Sequence, residues 1–229
     1  MFKAIINIRK QTMKLERLQD LYLLFALFDN AIKENDIREI RKCLNHVKSC
    51  EEFFLKNYDQ RKKEGVYYTN VEISDFIVSE TLILLLNKKL KSENKDAPSL
   101  EKTQDIIELN SSHTEKIFQF LLNLKVCDPA CGSGIFLLSY ANLLFDVVKK
   151  INEDIDESNI KSIILKNLHG FDINEFAIKL TILKLFAWFF NDVDLKNSEV
   201  LSLLKLNIEH KNSLIKSNFK TIILRHYCK

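Results

Sequence analysis

The 229-residue sequence contains very little glycine or proline, four and two residues respectively. Residues that interrupt regular structure are therefore scarce, and most of the chain is expected in regular elements, chiefly helix. No stretch approaches the ~18 apolar residues of a membrane-crossing helix, and the opening Met1-Phe2-Lys3-Ala4-Ile5-Ile6-Asn7-Ile8 lacks the apolar core of a secretion signal. The five cysteines (Cys43, Cys50, Cys127, Cys131, Cys228) form no Cys-x-x-Cys pair and are odd in number. That pattern excludes a secreted disulfide framework and points to a cytoplasmic chain with reduced thiols. Nothing supplies further ligands around Cys127 and Cys131 at a recognisable spacing, so no metal site is expected. An excess of one charge is lacking too: 34 Lys+Arg stand against 31 Asp+Glu, which permits contact with nucleic acid without arguing for it.

What is present is an ordinary globular balance, 46% hydrophobic and 28% charged, at a length that suits one sizeable domain with an appendage. The first sixty or so residues read as helices. Leu15, Leu18, Leu21, Tyr22, Phe25 and Phe28 recur at helical spacing, and Ile37, Ile40, Leu44, Val47 and Phe54 form a second stripe. A basic linker, Lys56 to Lys63, follows. The chain is thus divided into a helical N-terminal region, residues 1–63, and an α/β domain, residues 64–229. Thr69-Asn70-Val71-Glu72 fits a capping box for a helix running from Val71 to about Leu86, and the polar stretch Asn87 to His113 reads as a loop with one short helix.

From Leu121 the pattern changes to strands alternating with helices, which implies a parallel sheet with helices on both faces. Strands are expected at Leu124–Asp128, Leu168–Asp172, Leu206–Glu209 and Phe219–Leu224. Helices are expected from Gly134 to about Ile151, from Ser158 to Lys166, and from a cap at Asn174 to Phe190. Trp188, on the last of these, is expected in the core rather than as a base-stacking platform.

Asp128-Pro129-Ala130-Cys131-Gly132-Ser133-Gly134 carries the chemistry. A strand ends in an acid, turns through two glycines and opens a helix, and ligands of such sheets lie at the strands' carboxyl ends. Gly132 and Gly134 let the backbone approach a ligand closely, the helix start favours a carboxylate, and Asp128 suits an ammonium. Carboxylate and ammonium on one carbon describe an amino acid, as in the methionine part of S-adenosylmethionine. A dinucleotide turn is the rival reading, but Leu137 stands where its third glycine belongs.

Asp128 to Phe136 resembles the first motif of adenine-specific (N6) DNA methyltransferases, in the group that includes type I modification subunits and fused restriction–modification enzymes. Gly65-Val66-Tyr67-Tyr68-Thr69 is similar to the segment that precedes this motif and closes over the methionine end of the cofactor, with Asn70 where the family usually has proline. Gly170-Phe171-Asp172-Ile173-Asn174 is similar to the second motif, whose acid holds the ribose hydroxyls while Ile173 lies against adenine. Lys211-Asn212-Ser213-Leu214-Ile215 is similar to the third, with Lys211 in place of glycine. The resemblance implies a doubly wound, Rossmann-like fold, S-adenosylmethionine as cofactor and double-stranded DNA as substrate. It implies cofactor contacts at Tyr68, Thr69, Asp128, Ala130, Gly132, Ser133, Gly134, Asp172, Ile173 and Asn212; Thr69 is read equally as a helix cap.

The family's catalytic Asn-Pro-Pro-Tyr motif follows its fourth strand. Here Arg225-His226-Tyr227 follows Phe219–Leu224, and the two prolines are Pro98 and Pro129. Arginine only donates and cannot accept from an adenine amine, so no catalytic residue is assigned. The expectation is a shortened methyltransferase domain, inactive alone. It is either completed by a separate chain carrying the catalytic motif and target recognition, or a remnant without function.

Overall fold

The computed structural model describes residues 18–56, 69–191 and 206–214. Tyr68 and the rest of the 65–68 segment, the basic residues 57–63, the Phe219–Leu224 strand expectation and Arg225–Tyr227 lie outside the described residues. The chain is mostly helical around a small three-stranded parallel sheet. Its elements are α1 (Leu18–Lys33), α2 (Ile37–Leu44), α3 (Val47–Lys56), α4 (Val71–Glu93), a 3-10 turn (Thr103–Glu108), α5 (Ser111–Leu122), β1 (Val126–Asp128), α6 (Ile135–Ile151), α7 (Glu157–Asn167), β2 (Leu168–Asp172), α8 (Glu175–Phe190) and β3 (Asn207–His210).

The strands lie in the order β1-β2-β3. Asp128 pairs with Gly170, and Asp172 pairs with His210, so the acids ending β1 and β2 sit at the same end of the sheet. Three of the four expected strands are observed, β1 shorter than expected and β3 displaced by one residue. Asn174 caps α8 as expected, its side chain accepting from the Ala177 N–H at 3.0 Å, and the helix ends at Phe190.

Helix α8 is apolar almost all round, the signature of a helix covered on every side. It packs on β2, β3, α6 and α7, and its remaining face receives α2 and α3. The N-terminal helices reach it through aromatic pairs: Phe25–Phe176 and Phe28–Phe186 edge to face, each at 5.3 Å, and Phe54–Phe176 stacked at 5.4 Å. Lys184, its side chain 5% exposed, pairs with Glu51 of α3 at 2.7 Å. One hydrophobic cluster runs without a break from Leu21 of α1 to Ile208 of β3. Nearby the ammonium of Lys161 in α7 lies 5.0 Å from the Phe145 ring centre and 5.1 Å from that of Trp188, and donates to the Trp188 carbonyl at 3.2 Å. Trp188 is half-buried against the core, as expected.

Three local expectations are corrected. The cap of α4 is Asn70, whose side chain accepts from the Glu72 N–H at 2.9 Å; the expected Thr69–Glu72 box is replaced by this shorter turn. The polar stretch from Asn87 is not a loop at its start, since α4 continues to Glu93. There the Asn87 side chain donates to the Leu100 carbonyl at 2.8 Å and accepts from the Leu100 N–H at 2.7 Å. That pairing pins the following turn and buries Ala97 and Leu100. The second N-terminal stripe is two helices, broken at Asn45 and His46. No helix among the described residues is long and apolar enough to cross a membrane.

Candidate functional site

The seven residues from Asp128 to Gly134 form a tight turn between β1 and α6. The Gly134 N–H donates to the Cys131 carbonyl at 2.8 Å and closes the turn, while the Cys131 N–H donates to the Phe171 carbonyl at 2.9 Å and ties it to β2. The Gly132 N–H donates to Asp172 Oδ2 at 2.8 Å, and the Asn174 N–H donates to Asp172 Oδ1 at 2.8 Å. The Asp172 carboxylate is thus clamped between the glycine turn and the start of α8, its oxygens each holding one backbone donor and retaining lone pairs for another.

Across the turn, Asp128 Oδ1 accepts from the Ala130 N–H at 3.1 Å. Burial pushes the Asp128 carboxyl above the usual carboxylate range, and the neighbouring Asp172 charge adds to the effect. A positive group placed beside Asp128 would relieve both. Burial and the same two acids push the Cys131 thiol up to about 12, which makes it inert as a nucleophile.

The two glycines of the turn do different work. Gly132 has φ +52° and open space where a side chain would stand. Gly134, at φ +77°, has no such space: a Cβ there would fall 2.6 Å from the Thr181 Cγ2. It serves as the cap of α6, and no side chain closes that helix start, which leaves its first N–H groups facing the turn.

A family model for the MmeI DNA-methyltransferase domain matches residues 101–228, more than half of the chain. The chain belongs to this family. It is also similar to a protein of Methanocaldococcus jannaschii named "Putative type II restriction enzyme and methyltransferase", with 30% identity over 190 residues, 73% of this chain and 16% of that protein. The chain therefore spans about a sixth of that relative's length.

Within this methyltransferase domain the structure brings Asp128, Ala130, Gly132, Ser133, Gly134 and Asp172 together at one end of the sheet. Ser133 is buried and Ala130 exposed. Ile173, 67% exposed, follows Asp172, and its carbonyl lies 2.8 Å from His210 Nε2 at the end of β3. The Lys211 N–H donates to the Asp172 carbonyl at 2.8 Å, which carries Asn212 to the same end. Asn212 Oδ1 accepts from the Leu214 N–H at 3.0 Å, leaving its NH2 as the group available to a ligand. Thr69 is half-buried, one residue ahead of the α4 cap, and Tyr68 lies outside the described residues.

Two residues of the site escaped the sequence reading. His210 bridges β3 to the Ile173 loop. Thr181 donates its hydroxyl to the Gly132 carbonyl at 2.9 Å. The available signal was Thr181 itself, the one hydroxyl among the buried residues of α8.

Proposed function

We propose that this domain binds S-adenosylmethionine at the carboxyl end of its sheet and belongs to a cytoplasmic restriction–modification enzyme that methylates adenine N6 in double-stranded DNA. The observation that carries the reading is the clamp joining Gly132 to Asp172 beside the buried Asp128. The residues fit the cofactor at both ends. Asp128 gains from an ammonium, the uncapped start of α6 from a carboxylate, and Gly132 leaves room for the amino-acid part. Asp172 retains lone pairs for the ribose hydroxyls, Ile173 offers an exposed apolar side chain to adenine, and the Asn212 NH2 suits a ring nitrogen. Tyr68 and Thr69 are read as closing over the methionine end, and Ala130, Ser133 and Gly134 as shaping the turn. When bound, S-adenosylmethionine supplies a methyl group on a sulfonium centre. The residues of the site hold and orient it, and that positioning is the larger part of what such a site contributes.

Acceptors for the adenine amine are a separate requirement. The 229 residues hold no Asn-Pro-Pro-Tyr sequence, and their prolines are Pro98 and Pro129. We read this polypeptide as the cofactor-binding portion (residues 64–229, with residues 1–63 as a helical appendage), which requires residues from outside it to methylate DNA. The outer side of β1 supports a continuing, doubly wound sheet. A cavity of about 220 Å³ lies there between β1, α4 and α6, lined in part by Ile77, Val78, Phe136 and Tyr140, and Ile73, Phe76 and Leu84 of α4 are exposed. The fourth strand of a doubly wound sheet lies beside the first. A separate chain supplying the catalytic motif and target recognition is the second reading, favoured by the same apolar surface.

Calorimetric titration of the 229-residue chain with S-adenosylmethionine tests the proposal. Binding is expected, weakened on the order of 100-fold in Asp172→Ala, which removes a charge-assisted acceptor from the ribose and from two backbone N–H groups. A folded chain that takes up no cofactor would sink this reading in favour of a remnant.

A further inference from the structure

We propose that Thr181 is a positioning residue for the cofactor's amino-acid end, setting the glycine turn from behind; the inference rests on the S-adenosylmethionine reading above. A threonine inside a helix ordinarily gives its hydroxyl to the carbonyl one turn back in its own helix. Thr81 of α4 does so, donating to the Ile77 carbonyl at 2.7 Å. Thr181 instead donates out of α8 to the Gly132 carbonyl, 49 residues away in sequence, at 2.9 Å. It is fully buried, in a helix whose other buried residues are apolar apart from Lys184.

Its methyl group acts on the next glycine. The Thr181 side chain occupies the space where a Cβ on Gly134 would stand, with Cγ2 at 2.6 Å and Oγ1 at 2.8 Å. One side chain therefore fixes both glycines, Gly132 through its carbonyl and Gly134 by contact. The peptide on either side of Gly132 is held from opposite directions, since its N–H goes to Asp172 and its carbonyl to Thr181. That leaves the open face of Gly132 aimed where the cofactor's amino-acid part would lie. The residues read as ribose and adenine contacts, Asp172, Ile173 and Asn212, belong to the ends of β2 and β3. Asp172 meets the turn through the Gly132 N–H but is held independently by the Asn174 N–H, so Thr181 bears on them only at second hand.

The two parts of the cofactor separate the effects. The 229-residue chain is titrated with S-adenosylmethionine and with 5′-methylthioadenosine, which keeps adenine, ribose and sulfur but lacks the amino-acid end. Thr181→Val, which keeps the shape and removes the donor, is expected to weaken S-adenosylmethionine ~10-fold, about one hydrogen bond's worth, and methylthioadenosine by less than ~2-fold. Thr181→Ser, which restores the donor, is expected to recover most of the lost affinity. Unchanged S-adenosylmethionine binding in Thr181→Val overturns the proposal, and so does an equal loss for both ligands, which is the mark of a merely structural residue. Should Thr181→Val fail to fold by circular dichroism, Thr181→Ser carries the test: the ratio of the two affinities must stay at the wild-type value. A wild-type chain that binds neither ligand defeats the cofactor reading itself, and this proposal with it.

Discussion

Helix α8 serves two regions of opposite character. Towards the sheet's carboxyl end, its start and first turns meet backbone groups, the Asp172 carboxylate and a glycine turn, through hydrogen bonds of 2.8–3.0 Å and with one side left open. Towards the N-terminal helices, the same element presents Phe176 and Phe186 to an aromatic layer and closes over the Lys184–Glu51 pair. The open region holds polar atoms in place with directional bonds and gains little from burial. The closed region removes apolar surface from water and gains most of its stability that way. A helix placed between them ties the proposed binding surface rigidly to a core packed by apolar contact around one buried ion pair.

The comparison makes separable predictions. Phe28, 2% exposed, lies in the closed region, and Phe28→Ala should remove about 4 kcal/mol of stability while leaving S-adenosylmethionine affinity unchanged. Chemical denaturation and calorimetry on the same variant check both halves, and lost affinity at retained fold would break the separation. Within the open region the two glycines should part company. Gly134→Ala forces a side chain into Thr181 at a positive φ and should cost about 3 kcal/mol. Gly132→Ala meets no neighbour and should cost about 1 kcal/mol, with its effect appearing in cofactor affinity.

The smallest expected effect is on Asp128, and it runs the other way. Its folded pKa is raised by burial and by Asp172, so the native state holds a proton more readily than the unfolded chain does. Stability therefore rises as pH falls through the raised folded value towards the ordinary carboxylate pKa, and the penalty is fully present above it. Asp128→Asn, which retains an acceptor for the Ala130 N–H, should melt slightly higher than wild type at neutral pH and flatten this acid-side dependence. It should also weaken S-adenosylmethionine, whose ammonium loses its counter-charge. A melting series across pH on both proteins checks the sign.

The β1–α6 and β2–α8 junctions were legible because each carries its own punctuation: Asp128 and two glycines, then Asp172 and the Asn174 cap. The Asn87–His113 stretch was legible only in its one short helix, the 3-10 turn at Thr103–Glu108. Its composition is polar, while its order comes from tertiary contacts such as Asn87 with Leu100 and from the burial of Ala97, Leu100 and Ile106. The capping residue of α4 was misplaced by one, since Thr69 and Asn70 are both good caps and only the turn geometry chooses between them. Asp128 and Asp172 could be named from motif position. Thr181 could not, because its partner is 49 residues away and helical periodicity files it with the core. The packing of α1–α3 on α8 was equally invisible, since an amphipathic stripe names a buried face without naming what buries it.

Trp188 is the chain's single tryptophan, and it stands where α6, α7 and α8 meet, its ring edge to face with Phe145 at 6.1 Å and close to the Lys161 ammonium. Excitation near 295 nm therefore interrogates that junction alone, and a nearby cation stabilises or destabilises the excited indole according to its placement. The emission of this chain is a built-in reporter of whether the three helices are assembled, optically silent to the glycine turn at the other end of α8.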